Sequence, residues 1–125
     1  MSSELRVAIF GISGRMGRSL IAAANELPNV SLTGATASAT SEWNGRDISS
    51  LGAKKSVRIV ADPAAAVELA HVAMDFTLPA AMPANLAACV AARCALVIGT
   101  TGFDETVRAQ IEAASRHIAI VVSPN

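Results

Sequence analysis

The chain has 125 residues, and its ten basic and ten acidic side chains give a formal charge of zero. Hydrophobic residues make up 52% and charged residues 16% of the sequence, which excludes a disordered tail and a charged coiled coil. Because the charge is balanced and only 3% of the residues are aromatic, nucleic-acid binding is not expected. The length fits one domain with a buried core.

Targeting and redox signals favour a cytoplasmic protein. The apolar run near the N-terminus is too short for a signal peptide, and the longest uncharged stretch, residues 76–92, contains Pro79 and Pro83 and is a poor membrane span. Cys89 and Cys94 lie among alanines and aliphatic residues, which favours buried, inert thiols over a disulfide or a metal site. We therefore expect a soluble protein of a reducing compartment that has no membrane partner.

The first half of the chain alternates strands with a helix. Residues 5–10 are nearly all apolar, as in a strand covered on both faces, and residues 16–27 carry an apolar face at helical spacing that Pro28 ends. Residues 30–35 predict a second strand. The polar segment 36–55, rich in Ser and Gly, predicts a loop.

The second half continues this alternation. Residues 57–60 predict a third strand, and Asp62 followed by Pro63 is typical of a helix start, here of a short helix that ends near His71. The remaining predicted elements are a strand at 72–76, a helix whose regular part runs from near Pro83 to Arg93, a strand at 95–98, a helix from the Asp104 cap to His117, and a strand at 118–122.

Strands that alternate with helices of this length need crossover connections, which produce a mostly parallel sheet. The sequence therefore predicts a doubly wound, Rossmann-type α/β domain with helices on both faces. Such a sheet binds ligands beyond the carboxyl ends of its strands. The segments rich in Gly, Thr and Ser fall at these ends, after the first, fourth, fifth and sixth predicted strands.

A glycine-rich turn, residues 11–17, separates the first strand from the first helix. Its spacing, Gly-x-x-Gly-x-x-Gly, lets the backbone turn sharply and brings bare amides close to a pyrophosphate at a helix N-terminus. We interpret it as a dinucleotide-binding loop, the alternative being a purely structural turn. Arg15 either covers the phosphates or is a solvated helix residue.

The end of the second predicted strand lacks the acidic residue that commonly holds the adenosine ribose hydroxyls. Ala37 and Ser38 stand there instead, and the nearest cation is Arg46. A lost charge-assisted hydrogen bond is worth about 1.5–3 kcal/mol. The hypothesis that follows is that NADP is at least tolerated and that NAD loses its usual advantage.

The fifth predicted strand leads into Gly-Thr-Thr-Gly at 99–102, whose amides and hydroxyls suit a nicotinamide ribose or carboxamide; a tight left-handed turn before the Asp104 cap is the alternative. Phe76 either packs beside the nicotinamide or fills the core. Asp75 is expected to accept hydrogen bonds from backbone amides rather than to act as a base. The two histidines are expected to be structural, and the sequence offers no metal cluster and no nucleophile–base pair.

Four segments of the chain resemble the N-terminal half of the dihydrodipicolinate reductase family: Gly-x-x-Gly-Arg-Met-Gly at 11–17, Asp-Phe-Thr at 75–77, Val-Ile-Gly-Thr-Thr-Gly-Phe at 97–103 and Ser-Pro-Asn at 123–125. This family, also called 4-hydroxy-tetrahydrodipicolinate reductase, uses NAD(P)H to reduce a cyclic imine dicarboxylate in lysine (diaminopimelate) biosynthesis. The resemblance implies a pyrophosphate at residues 11–16 and a nicotinamide end at residues 99–101 and 123–125. Together with the interpretation of the loops above, it predicts that the chain binds NADP or NAD through Gly11, Ile12, Ser13, Gly14, Arg15, Met16, Ser38, Phe76, Thr77, Gly99, Thr100, Thr101, Ser123, Pro124 and Asn125.

The chain departs from the family pattern in three ways. Ser38 and Ala39 stand where the family often has an acid with a basic neighbour, and Leu78 stands where it often has arginine. The family's substrate domain, with its paired histidines and following lysine, is not in this sequence, so the resemblance implies no catalytic residue here. We therefore expect residues 1–125 to be one NAD(P)-binding domain of a homotetrameric parent. Alone, it should bind nucleotide weakly if at all, show no turnover, and self-associate through uncovered apolar surface.

Two other interpretations stay open at this point. The chain is alternatively the nucleotide-binding half of another two-domain dehydrogenase, for amino acids or polyols, or a nucleotide-sensing module that does no chemistry. A His-His-x-x-x-Lys-like segment downstream would favour the reductase, whereas tight cofactor binding by this chain alone would favour the sensor.

Overall fold

Strands and helices alternate along the chain in the computed structural model, which describes residues 4–123. The strands are β1 (Leu5–Phe10), β2 (Val30–Thr36), β3 (Val72–Asp75), β4 (Ala95–Ile98) and β5 (Ile120–Val122), and the helices are α1 (Arg15–Glu26), α2 (Pro63–Ala66), α3 (Met82–Ala92) and α4 (Glu105–Ala114). Short 3₁₀ turns lie at Ile48–Leu51 and Pro79–Ala81.

The five strands form one parallel sheet in the order β2-β1-β3-β4-β5. Alternate residues of β1 point to opposite faces: Val7 and Ile9 enter one hydrophobic cluster, and Ala8 and Phe10 enter the other. The first cluster includes Ile21 of α1, and the second includes residues of α2, α3 and α4. Helices therefore cover both faces, and the predicted doubly wound fold is confirmed.

The predicted third strand at 57–60 is wrong as a member of the sheet. Only Val60 bridges to Thr36 at the end of β2, in parallel, while Arg58 bridges to Asp47 in the antiparallel sense. The reason is that this short segment divides its hydrogen bonds between two partners. The Val60 amide donates to the Ala35 carbonyl at 3.0 Å, whereas the Ile59 amide donates back to the loop, to the Arg46 carbonyl at 2.8 Å.

The second helix is also shorter than predicted, since α2 ends at Ala66 and not near His71. The following residues form turns that bring His71 beside the start of β1. There the His71 amide donates to the Arg6 carbonyl at 2.9 Å, and its Nδ1 accepts from the Arg6 amide at 3.0 Å. His71 thus has the structural role expected of it, at the entry to β3 rather than at a helix end.

The two predicted helix caps are confirmed, and the ends of the last elements differ from prediction. Asp62 accepts from the Ala64 amide at 3.0 Å, and Asp104 accepts from the Val107 amide at 2.9 Å. The last strand begins two residues later than predicted because Ile118 packs into the core instead.

Cys89 and Cys94 are free thiols and both are buried, as predicted. A hydrogen bond with Cys94, together with burial, raises the pKa of the Cys89 thiol well above its usual range, which keeps that thiol protonated and unreactive. No helix among residues 4–123 is long and apolar enough to span a lipid bilayer.

Candidate functional site

Two adjoining clefts follow the carboxyl edge of the sheet and share Phe76, Thr77 and Leu78. The first, about 490 Å³, lies between the loops that follow β1, β2 and β3, at the point where the strand order reverses. The second, about 360 Å³, lies between the loops that follow β3 and β4. We call the two together the rim groove. Its lining includes ten of the predicted site residues: Gly11, Ser13, Gly14, Met16, Ser38, Phe76, Thr77, Gly99, Thr100 and Thr101.

Glycine is required at two positions of the loop after β1. Gly11 has a φ of +85°, and a Cβ there would lie 3.1 Å from the Phe76 carbonyl oxygen. At Gly17 a Cβ would overlap the Ile12 carbonyl oxygen, so a side chain would push helix α1 away from the loop. These contacts hold the loop close to the β3 end and leave its outer side to the groove.

Unsatisfied backbone amides lie at the start of α1, next to Gly14 and Met16 of the groove lining. The cap residue, Gly14, has no side chain to accept a hydrogen bond, and the amides of Arg15, Met16 and Gly17 have no acceptor anywhere in residues 4–123. A helix N-terminus with open amides binds anions. The loop therefore fits a pyrophosphate. Because the cap residue is glycine, no side chain accepts hydrogen bonds from these amides, and they are left for a ligand.

Two predicted loop residues lie outside the groove. Ile12 is fully buried, and its amide donates to the Thr36 carbonyl at 2.9 Å, so it anchors the loop to β2. Arg15 is exposed on α1 and lines neither cleft, which accords with a solvated helix residue.

The end of β2 supplies the other wall of the first cleft. Ser38 is exposed there, and its carbonyl accepts from the Asn44 side chain at 2.7 Å and from the Ser41 amide at 2.9 Å, which folds the following loop back on itself. Over residues 4–123, no acidic side chain lines this cleft. Alanines and a proline make up much of its remaining wall, which suits a flat aromatic base.

Sequence reasoning missed a cationic feature beside this loop. Two guanidinium groups lie over the ring of Trp43, with the carbon of Arg18 at 5.6 Å and that of Arg46 at 5.1 Å from its centroid. Neither arginine has an acidic partner in the part of the chain that the structure describes. We call these three residues the Arg–Trp–Arg stack. Sequence reasoning named Arg46 as the nearest cation; the part that it missed is the contact of Arg46 and Arg18 with the single tryptophan, which lies in a polar loop.

At the end of β3, Asp75 is completely buried and accepts four hydrogen bonds. Its Oδ1 accepts from the Thr77 amide at 2.9 Å, from the Thr77 hydroxyl at 2.6 Å and from the Thr100 hydroxyl at 3.2 Å, and its Oδ2 accepts from the Asn85 side chain at 2.9 Å. The expected backbone-amide contact is therefore present, and three side-chain donors that the sequence did not indicate accompany it. Asn85 lies on α3, so the network ties three segments together.

Phe76 and the loop after β4 form the floor of the second cleft. The Phe76 ring lies directly against Gly99, where a Cβ would overlap it, and it is half-buried between the two clefts rather than inside either hydrophobic cluster. Thr101 is exposed, and Gly102 adopts the left-handed conformation before the Asp104 cap. The two interpretations of this loop, as a turn and as a binding segment, are thus compatible.

The closing segment is described only in part. The Ser123 amide donates to the Ile98 carbonyl at 2.8 Å, which places Ser123 next to the β4 end, although it lines neither cleft. Pro124 and Asn125 lie outside the described residues.

Comparison with solved structures supports the fold. A dipicolinate-bound dihydrodipicolinate reductase from Paenisporosarcina sp. TG-14 has a TM-score of 0.72 at 22% identity, over 98% of this chain and 48% of that chain. The apo scyllo-inositol dehydrogenase from Lactobacillus casei has a TM-score of 0.73 at 14% identity, over 98% and 37%. Because these identities are low, the likeness shows the fold alone and does not separate a reductase from a polyol dehydrogenase.

Sequence comparison does distinguish the reductase from the polyol dehydrogenase. The profile of the family described as "Dihydrodipicolinate reductase, N-terminus" matches residues 5–125. The 4-hydroxy-tetrahydrodipicolinate reductase of Laribacter hongkongensis is 44% identical over 124 residues, which are 98% of this chain and 46% of that protein. The chain thus spans about half the length of the curated relatives it matches. It belongs to the dihydrodipicolinate reductase family and corresponds to the N-terminal part of its members.

Proposed function

We propose that residues 1–125 are the NAD(P)-binding domain of a 4-hydroxy-tetrahydrodipicolinate reductase. In this proposal the whole enzyme reduces a cyclic imine dicarboxylate with NAD(P)H in lysine (diaminopimelate) biosynthesis. The observation that carries the proposal is the uncapped start of α1 at the sheet's switch point, whose open amides lead into a groove that reaches Thr100. The family match supplies the reaction class.

The groove residues would hold the dinucleotide in an extended conformation. The pyrophosphate would lie on the amides at the start of α1, the adenine on the alanine-lined wall that follows β2, and the nicotinamide against Phe76, Thr77 and the Gly99–Thr101 loop. Ser123, Pro124 and Asn125 would complete the nicotinamide end. The bound cofactor supplies the hydride, and this chain's contribution is to position it.

The substrate-binding and catalytic residues, in this proposal, lie on a second domain that corresponds to the half of the relatives beyond this chain. The whole enzyme would be a cytoplasmic homotetramer. Exposed apolar side chains in this domain, Leu78 at 73% and Val121 at 58%, support the expectation that the domain self-associates when it is alone.

Cofactor choice would be decided beside Ser38. Without an acid at the β2 end, the ribose hydroxyls of NAD lose a charged acceptor worth about 1.5–3 kcal/mol. The 2′-phosphate of NADP would instead lie near the Arg–Trp–Arg stack, whose two guanidinium groups carry positive charge without an acidic partner in residues 4–123. In this proposal NADP is at least tolerated and NAD loses its usual advantage.

The test is calorimetric titration of NADPH and NADH into two proteins. One is this chain, and the other is a chimera in which the C-terminal half of the Laribacter hongkongensis relative follows residue 125. We expect the chimera to bind both nucleotides and this chain to bind them weakly if at all, NADPH to bind at least as tightly as NADH, and only the chimera to oxidise NADPH when substrate is added. A strong preference for NADH would reject the proposed cofactor choice, and substrate-dependent turnover by the chain alone would reject the assignment of catalysis to a second domain.

A further inference from the structure

Thr77, which lines the rim groove, is hydrogen-bonded to the buried carboxyl group of Asp75. Asp75 is fully buried, and its partners are an amide N–H, an NH₂ group and two hydroxyls. The amide and the NH₂ are obligate donors and occupy one oxygen each, so both oxygens of Asp75 accept hydrogen bonds. No cation contacts Asp75 within residues 4–123.

This arrangement fixes where the Thr77 hydroxyl proton points. The Thr77 oxygen lies 2.6 Å from Asp75 Oδ1, a length typical of a charge-assisted hydrogen bond, whereas its other acceptor, the Leu78 carbonyl, is 3.4 Å away. The proton therefore lies on the line to Asp75. What remains on the oxygen is its lone pairs, one of which receives only a long contact of 3.5 Å from the Asn85 side chain.

Thr77 lines both clefts, between the loop that follows β1 and the loop that follows β4. Because its proton is directed to Asp75, the hydroxyl can offer a ligand in the groove only an acceptor lone pair. The nearby Thr100 hydroxyl is oriented in the same inward way, because its three partners, the Thr77 carbonyl and two oxygens of Asp75, are all acceptors at 3.1–3.4 Å.

We propose that Asp75 is a positioning residue that holds the Thr77 hydroxyl as a hydrogen-bond acceptor, so that the site selects a nicotinamide half that presents a hydrogen-bond donor. The donor is the carboxamide NH₂ or a hydroxyl of the adjoining ribose. This inference rests on the proposed function, since it takes the nicotinamide end of the groove as given.

The experiment measures affinity by calorimetry, in this chain and in the chimera, for three probes. They are NADPH, its 3-acetylpyridine analogue, which lacks the carboxamide N–H groups, and adenosine 2′,5′-bisphosphate, which lacks the nicotinamide half. The variants are Thr77→Val, which removes the hydroxyl, Thr77→Ser, which keeps it, and Asp75→Asn, which replaces one carboxylate oxygen with an NH₂ donor and leaves one neutral acceptor. Asp104→Asn is the matched control on an exposed helix cap.

We expect Thr77→Val to weaken NADPH binding about tenfold, the loss of one hydrogen bond. Thr77→Ser and Asp104→Asn should stay within about twofold of the wild type, and Asp75→Asn should fall between, because a hydrogen bond to a charged group is roughly twice as strong as one to a neutral group. None of the variants should change the affinity for the bisphosphate, which also reports that they are folded. If the Thr77→Val penalty disappears with the acetylpyridine analogue, the donor is the carboxamide; if it persists, the donor is a ribose hydroxyl.

Several results overturn the inference. Unchanged NADPH binding in Thr77→Val, or an equal loss in Thr77→Ser, removes the hydroxyl from the site while bisphosphate binding leaves the proposed function standing. Wild-type NADPH affinity in Asp75→Asn rejects Asp75 as the positioning residue. Failure of the wild-type chimera to bind the bisphosphate rejects the proposed dinucleotide site itself.

Discussion

The two ends of the rim groove are built from different materials. At the end beside β2, the wall consists of backbone amides, alanines and an exposed serine. The charged groups belong to the Arg–Trp–Arg stack and do not line the cleft. At the end beside β4, a buried carboxylate organises the side chains through hydrogen bonds of fixed direction. Backbone groups give an affinity that tolerates sequence change, whereas a buried polar network gives selectivity because each missing partner leaves an unsatisfied group.

The largest expected loss of stability and of nucleotide binding is that of a substitution at Gly17. Gly17→Ala should lower the free energy of unfolding by roughly 1–3 kcal/mol and abolish measurable nucleotide binding, because the new Cβ overlaps the Ile12 carbonyl and displaces α1 from the loop. Gly14→Ala is the control: its Cβ would lie 3.7 Å from the Gly11 carbonyl, an ordinary contact, and should cost less than about 1 kcal/mol. Urea unfolding of both variants measures the difference. Equal stability of the two would mean that the loop does not depend on close approach at Gly17.

A smaller, specific effect is expected at the β2 end. Ser38→Asp should restore an acceptor for the ribose hydroxyls and repel a 2′-phosphate, changing the NADH to NADPH affinity ratio about tenfold or more in favour of NADH. Arg46→Gln should move the ratio in the same direction by weakening NADPH alone. Titration of both nucleotides into each variant measures the ratios, with Arg116→Gln, on the chain after α4, as the control. An unaltered ratio in Ser38→Asp would place the adenosine ribose elsewhere.

The smallest effect is expected in the loop that supports the β2 end. A hydrogen bond from the Ser56 hydroxyl, with another from the Ser49 amide, lowers the pKa of Asp47 from 3.8 to about 2. Because the folded pKa is lowered, this carboxylate stabilises the fold above pH 3.8, and its contribution is lost as the pH falls from there through 2. Asp47 lies at the surface, where solvent screens such interactions, so the effect is modest.

Urea midpoints at pH 5 and pH 2 measure that contribution. The wild type should lose slightly more stability between the two values than Asp47→Asn, which cannot titrate. An identical loss in both proteins would show that Asp47 does not act on the fold through its charge.

The sequence predicted the parts of the structure that local rules decide. The caps at Asp62 and Asp104 and the strands β1, β2 and β4 each depend on a few neighbouring residues, and each was found within one residue of its expected place. The segment 57–60 was mispredicted because its strand propensity is local, whereas its pairing is decided by competition between the end of β2 and the loop.

The side-chain clusters could not be predicted for the same reason. Asn85 is ten residues from Asp75, and Arg18 is 25 residues from Trp43, so only the folded chain shows that they meet. Ile12 and Arg15 fall inside the loop motif, yet the structure turns one into the core and leaves the other on the solvent side of α1. A motif identifies the segment that forms a site, and the backbone decides which of its side chains reach it.

Trp43 is the only tryptophan of the chain, has two guanidinium groups over its ring and belongs to the loop that follows Ser38, at one end of the groove. Its emission spectrum is consequently a native optical reporter of that end alone. Titration with a non-fluorescent, phosphorylated adenosine that rearranges either arginine would change the intensity without any introduced label. A compound restricted to the opposite end would leave the signal silent, so one cuvette measurement distinguishes which half of a ligand has docked.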